Sequence, residues 1–591
     1  MTISYEKLEE VAYELNRRAA IAVPLDAKQA FVKAAERETN PDAKRALLAV
    51  INNADTAVAE QSSMCGDTGC PRFYAKVGND VQLEGGFVNL ERALRAATVR
   101  ATKAVPLRSN RVHPLTRRNP GTNVGVMAPN VDYRFEPEGD WIDLTAVHKG
   151  GLFGSDYRML FPGDGVPGIK RFFVDTLVSF GHRGLSCPPV IVGVGIGGTK
   201  DQCVTLGKEA SCLRLVGDRH PDPLVADLEL ELLELGNKTM IGIMGFKSDT
   251  PVLDVHCEIA YTHTGGLPIG ISELCHAARR ATARIYGDGR VEYREDPQWF
   301  TPYYRREGAA FEPGEPQPST KGGEGMKGLA ALVERRRAQV NGVSPSPLPT
   351  PPSALANGKS KPKRESREWH LTVPLQDADV RQLRAGDVVY LTGNIFTARD
   401  GVFKYMIDEG NAPPIEIRGV NNVTTQSSPA GTEVSPGHYM VNSLQATAGF
   451  RYAQWMDRLM ERHGVKAVLN KGGMSKQMYE TVFKKHGAVC LSTMPYGIGA
   501  IYGKAVTGVK DVYWKDLLGI SEAMWLLEVT ELGPLLVDGD SEGNSYVADH
   551  ADEVNAPLIE IYKDLPQLIL KRFGEVTDPT AELIKYLSKK P

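Results

Sequence analysis

The stretch 61–76 reads QSSMCGDTGCPRFYAK and sets the thiols of Cys65 and Cys70 on either side of the Asp67 carboxylate, with Gly66 and Gly69 between them. A turn this tight holds a soft ligand beside an acid–base group. Cys187 precedes two prolines in LSCPPV, and Cys275 follows HTGGLPIGISEL, so both also stand at segment boundaries. Thiolates converging from three separate loops suit zinc or an iron–sulfur cluster, and three ligands leave one coordination position for a substrate. Spacing alone does not separate this from three packed free cysteines, because a free thiol is a small buried hydrophobe. Cys203 and Cys212 fall within a helical pattern and read as packing residues. A zinc site at His256, Cys257 and His276 competes by residue type, but those positions read as a strand and a helix end with ordinary polar contacts. A reversible Cys65–Cys70 pair in a thiol-rich redox or binding protein is a further alternative.

Another motif points elsewhere. GVGIGG, from Gly193 to Gly198, satisfies GxGxxG after the apolar run PVIVGVGI (189–196), and Asp218 follows downstream. An NAD-dependent oxidoreductase built on this loop needs a second parallel strand that ends at the acidic residue. Instead, KDQCVTLGKEASCLRLVG (200–217) reads as one continuous helix, and DRHPDP leads into another, LVADLELELLELGN. The glycines then make a tight strand-to-helix turn whose free amides are available to an anion.

The elements that must position these groups belong to a long chain. Its 591 residues exceed one hydrophobic core, so two or three domains are expected. With 42% apolar and 24% charged residues and a net charge of -3, nothing draws it toward nucleic acid or a membrane, and an anionic partner must be met locally. Eight sparse cysteines without a CxxC pair imply reduced thiols. The N-terminal MTISYEKLEEVAYELNRRAA lacks a secretory or transit pattern and reads as a surface helix of a cytoplasmic protein.

A Pro-, Ser-, Gly- and Lys-rich stretch at 311–368 reads as a flexible linker, with MKGLAALVERRRAQV inside it as a solvated basic segment. It separates a larger α+β block, 1–310, from a smaller α/β block, 369–591. The second block carries strand patterns at WHLTVPL (369–375), DVVYLTGNIF (387–396), VKAVLN (465–470) and GPLLVD (533–538), alternating with helices such as FRYAQWMDRLMERHG. No fixed-period repeat is present. The fold class is mixed α/β and multidomain.

MCGDTG resembles the CxDTG motif of class I fumarases and L-tartrate dehydratases, the iron–sulfur hydro-lyases. HKGG (148–151), SCPPVIVGVGIGGT (186–199) and HTGGLPIGIS (263–272) resemble the next motifs of that family in the same order. LTGNIFTARD (391–400), TAGFR (447–451) and NKGGMS (470–475) are similar to its smaller, swivelling-type domain. The resemblance implies that Cys65, Cys187 and Cys275 bind a 4Fe-4S cluster with one open iron. It further implies substrate contacts at Arg108, Gly151, His263, Arg399, Arg451 and Lys471, with Thr447 as catalytic base supported by Asp67, and a homodimer.

Such chemistry needs these parts. Dehydration of a 2-hydroxy acid expels hydroxide, a poor leaving group until a metal polarises the oxygen. The second carboxylate takes up charge as the proton leaves, so arginines that clamp it act in the transition state. Thr447 needs a neighbouring carboxylate to act as base, and His263 is readable as an acid, a carboxylate donor or a loop residue. The pocket departs from the family pattern: the usual glutamine is Gly66, a histidine after ARD is Phe403, two threonines become Ala446 and Thr447, and Phe450 is inserted before Arg451. Kept ligands with an altered pocket turn the expectation from fumarate toward a related acid such as tartrate or mesaconate.

Overall fold

The computed structural model describes residues 2–105, 107–150, 154–182, 185–243, 246–277, 279–301 and 365–568. Most of the proposed linker, its basic segment and Gly151 lie outside them. Helices α1 (Tyr5–Ile21), α2 (Leu25–Arg37) and α3 (Pro41–Ala59) open the chain. Helix α1 starts where the Ser4 side chain accepts the Lys7 amide. Its apolar stripe, Leu8, Val11, Ala12 and Leu15, is buried, so the helix read as a surface element contributes half of itself to the core.

That stripe packs on a five-stranded sheet with α4 (Gly86–Ala104). The strands are β1 (Cys70–Gly78), β2 (Asn130–Glu136), β3 (Trp141–Lys149), and, from later in the chain, β8 (Arg280–Tyr286) and β9 (Val291–Arg294). Their order is β9-β8-β3-β1-β2. A second sheet holds β4 (Ser155–Leu160), β5 (Val190–Gly197), β6 (Val252–Ala260) and β7 (Leu267–Leu274) in the order β4-β7-β5-β6. Helices α5 (Gly165–His182) and α7 (Pro223–Lys238) share its hydrophobic cluster.

Helix α6 (Lys200–Leu213) explains the glycine motif. A Cβ at Gly193 would overlap the Gly207 carbonyl oxygen, and one at Gly195 the Cys203 carbonyl oxygen. These glycines let a helix backbone lie directly on a strand, so Gly193 and Gly195 of the motif serve strand-to-helix packing. The helix also stops at Leu213, short of 217: Arg214 turns extended, and its guanidinium reaches the buried Glu229 (2.5 Å) and Glu258 (3.4 Å).

In the second block, β10 (Glu368–Thr372), β11 (Val388–Thr397), β12 (Val423–Thr425), α8 (Ala453–His463), β13 (Ala467–Asn470), β14 (Val489–Thr493), α9 (Gly499–Lys504), β15 (Val506–Tyr513) and β16 (Met524–Gly539) follow in turn. Strand β10 begins at Glu368, so this block opens inside the last residues assigned to the linker. The sheet order is β10-β11-β12-β13-β14-β16-β15, and β16 also pairs with β11. Five strands thereby close on themselves.

Residues Met1–Trp299 and the chain from Ser366 onward form one compact unit. Ala34, Ala43, Leu47 and Phe246 of the first block share a core with Val388, Met494, Tyr496 and Leu536 of the second. The last helix among the described residues, α10 (Ala551–Lys563), returns to the first block, where Val554, Leu558 and Tyr562 join the cluster around Phe172 and Phe173 of α5.

Candidate active site

The three thiols are assembled by sheet topology and by the junction of the two blocks. Strands β5 and β7 are antiparallel, with Ile191 opposite Leu274. The segment before β5 and the segment after β7 therefore meet at one end of the sheet, bringing Cys187 and Cys275 together, and the His276 amide donates to the Cys187 carbonyl at 3.1 Å. Cys65 comes from the loop between α3 and β1. Asn53 of α3 donates to the Met64 carbonyl at 2.9 Å and accepts the Ala500 amide of α9 at 3.1 Å. A Cβ at Gly499 would overlap the Gly66 nitrogen, so the second block presses backbone against the Cys65 turn. Gly66 itself has no room for a side chain: a Cβ there would stand 2.5 Å from the Gln445 nitrogen.

Burial pushes the Cys65 thiol up to about 12, and Cys275 and Cys187 add to the rise as nearby negative charges. Burial raises Cys187 as well, opposed by Lys471, whose Nζ donates to Cys187 Sγ at 3.2 Å. Burial works against the charge of Lys471, but Cys187, Cys275 and Cys65 together raise it above its ordinary value. Thr447 is next to it in the structure: the Lys471 amide donates to the Thr447 carbonyl at 3.0 Å. Among the described residues, no three His, Cys, Asp or Glu side chains converge on a single metal-ion position.

Asp67 lies on the same turn as Cys65. Burial works to raise its carboxyl, but Arg108 and Arg279 prevail and hold it below the usual carboxylate range. Arg108 Nη2 stands 2.7 Å from Asp67 Oδ1, and Arg108 Nε donates to Asn110 at 2.6 Å. The Asn110 amide in turn donates to the Gly69 carbonyl at 2.7 Å and to Asp67 at 3.3 Å. The HKGG glycine Gly150 makes space here, since a Cβ on it would stand 2.9 Å from Arg279 Nη2 and 3.4 Å from Asp67 Cγ.

The second block supplies two further arginines that meet around Tyr452. Arg399 pairs with Glu522 at 3.2 Å and donates to the Ser521 carbonyl. Burial opposes its charge, yet Glu522 and Tyr452 raise it. Arg451 pairs with Asp400 at 2.8 Å and lies over the Tyr452 ring. Ser521 links this group to the first block by donating to the Ser109 carbonyl at 2.6 Å, one residue from Arg108.

His263 is placed differently. It occupies the exposed turn between β6 and β7, where its Nδ1 accepts the Gly265 amide at 3.0 Å. The length of β7, roughly 25 Å at 3.3 Å per residue, separates that turn from Cys275. Among the described residues, no contact brings His263 to the thiols. His256 also departs from expectation, being fully buried in β6 with neither ring nitrogen hydrogen-bonded. Sequence reasoning missed Arg279, Lys149, Glu273 and Tyr496 around the thiols. Arg279 carried a signal in its position four residues after Cys275, but an arginine beside a motif cysteine has no distinctive spacing.

Known proteins of similar sequence identify the family. The fumarate hydratase (fumerase) family model matches residues 9–284, and the fumarase C-terminus model matches residues 342–550. A protein of Methanocaldococcus jannaschii provisionally named L(+)-tartrate dehydratase subunit alpha is 41% identical over 290 residues, covering 48% of this chain and 100% of its own. The chain belongs to the fumarate hydratase family. A protein of Geobacillus stearothermophilus provisionally named fumarate hydratase class I is 28% identical over 559 residues, 92% of this chain and 96% of its own. An Escherichia coli L(+)-tartrate dehydratase subunit alpha is 31% identical over 284 residues, 48% of this chain and 92% of its own. The protein is thus a hydro-lyase of the class I fumarate hydratase and L-tartrate dehydratase family, with the counterpart of a separate alpha subunit fused to a second block. Helix α10 falls beyond both matched regions, and among the described residues no helix is long and apolar enough to cross a membrane.

Proposed function

We propose that this hydro-lyase adds and removes water on a small dicarboxylic 2-hydroxy acid, with a 4Fe-4S cluster held by Cys65, Cys187 and Cys275. The observation that carries the reading is the meeting of these thiols with Lys471 across the block junction. The donor set fits the group: the thiols come from three loops, and the cations Arg279 and Lys471 act on them to favour thiolate. A cubane takes each thiolate on a separate iron, so its ligands need not share one ion position. When bound, the cluster supplies a Lewis acid that turns hydroxide into a leaving group.

The chain's own residues do the rest. Arg399, Arg451 and Lys471 offer cationic groups to the substrate carboxylates, and Arg399 and Arg451 hold their guanidinium groups ready on Glu522 and Asp400. Asp67, kept ionised by Arg108, is an acceptor for the C–H proton either directly or through the Thr447 hydroxyl. Gly66, packed against Gln445, presents no side chain to the substrate. The absent glutamine amide, together with Phe403, Ala446 and Phe450 in the pocket motifs, favours a related acid, tartrate or mesaconate, over fumarate.

Anaerobically purified protein tests this by iron and sulfide per chain together with turnover of fumarate, L-malate, L-tartrate and mesaconate. About four irons and four sulfides with hydratase activity are expected. Active, iron-free protein overturns the cluster, and a clear preference for fumarate and L-malate overturns the substrate reading.

A further inference from the structure

Arg279 is 1% exposed, among the largest fully buried side chains of the protein. Its guanidinium donates to two backbone carbonyls, Ala277 (Nε, 3.2 Å) and Asp67 (Nη1, 2.7 Å). Among the described residues it forms no ion pair, since the nearby Asp67 carboxylate takes its ion pair from Arg108. The Asp67 carboxylate is close enough to act on Arg279 as a counter-charge but is already paired with Arg108, so two buried cations share one carboxylate and leave positive charge to be balanced by an anion.

The surroundings identify that anion. Arg279 acts on Cys65 as a neighbouring positive charge. Lys471 contacts Cys187, and buried Lys149 lies near Cys275 while donating to the Ser272 hydroxyl (2.9 Å) and the Glu273 carbonyl (2.6 Å). Arg279, Lys471 and Lys149 therefore stand beside the three thiol segments, with burial opposing the charge of Lys149, while the Asp67 carboxylate takes its ion pair from Arg108.

We infer that Arg279 is a positioning residue for the cluster: it ties the Cys65–Asp67 turn through the Asp67 carbonyl and supplies fixed positive charge to the anionic thiolate-bound group. This rests on the iron–sulfur reading above. Its partner is the negative charge of the bound cluster, whose potential depends on nearby charge and hydrogen bonding. Lys471 and Lys149 sit on the Cys187 and Cys275 sides, and Arg279 is the cation tied to the backbone of the Cys65 turn at Asp67.

The test uses the full chain, purified anaerobically as wild type, Arg279→Gln and Arg279→Lys, with iron per chain, the rate of iron release to a chelator and the midpoint reduction potential as readouts. Arg279→Gln should release iron about 10- to 100-fold faster and reduce at a lower potential, because removing a cation disfavours the added electron. Arg279→Lys keeps the charge but not the two-point grip, so its potential should stay near wild type while iron release quickens. Should Arg279→Gln fail to fold, Arg279→Lys decides: release and potential both at wild-type values overturn the inference. An iron-loaded wild type beside an Arg279→Gln variant with unchanged release and potential overturns the Arg279 assignment and leaves the hydro-lyase reading intact. Iron-free wild type overturns both.

Discussion

Replacing Asp67 by asparagine separates the proton-transfer role from the structural one. The new amide oxygen can still accept the Gly69 backbone N–H, now 3.3 Å from the carboxylate, and the Arg279 bond is to the backbone carbonyl, so the turn should hold. What is lost is the charge opposite Arg108, whose side chain is 10% exposed while that of Asp67 is 32% exposed. Breaking a wholly buried pair costs about 3–5 kcal/mol and an exposed one about 0–1, so this half-accessible pair should cost about 2 kcal/mol of stability. The catalytic loss should be larger. Removing a positioned base or acid costs roughly 100- to 10,000-fold, equivalent to about 3–5 kcal/mol in the activation barrier. Initial rates on L-tartrate, mesaconate and fumarate, measured on protein with matched iron content, read this directly. An Asp67→Asn enzyme with full iron and a kcat within about tenfold of wild type would refute the assignment.

Other consequences follow from the same geometry. Cys65→Ser should lose iron, whereas Cys70→Ser should keep it, because Cys70 lies on β1 opposite Lys149 and is absent from the charges acting on the other thiols; iron analysis of the two variants reverses the reading if their order is reversed. Gly499→Ala forces a methyl against the backbone of Gly66 and Cys65, so it should displace the Cys65 turn and lower iron content as well as the melting temperature, and wild-type values for both would contradict the close packing. Acid should weaken the fold through its histidines. Burial pushes His148 down to about 3 and His220 to about 4, whereas both titrate near 6.5 when unfolded. The unfolded chain then binds more protons between about pH 6.5 and about pH 4, so stability rises with pH across that window and falls on acidification. Melting curves at about pH 7 and about pH 5 should show the lower midpoint at the acid value, with His220→Gln reducing the difference.

Much of the site could be read from residue type and order. The CGDTG turn, the prolines after Cys187 and the glycines before Cys275 are local signals, since turn chemistry is written within a few residues. The same holds for the strands at Val190–Gly197 and Val388–Thr397, whose apolar runs lie close to their final bounds. What neighbours in sequence could not decide was which faces meet. Gly193 and Gly195 satisfy a nucleotide motif, yet the backbone of α6 occupies their faces. His263 shares a motif segment with Cys275, yet the whole of β7 separates the two. Lys471 and Cys187 lie far apart in sequence, yet their side chains touch. Turns and strands follow from short-range sterics and apolar spacing, so the sequence by itself determined the thiol-bearing turns, the family and the core strands. The closure of β11 onto β16, the docking of α9 against the Cys65 turn and the burial of Arg279 against the Asp67 carbonyl arise from long-range packing, in which each group's environment comes from residues hundreds of positions away, and only the tertiary structure decided them.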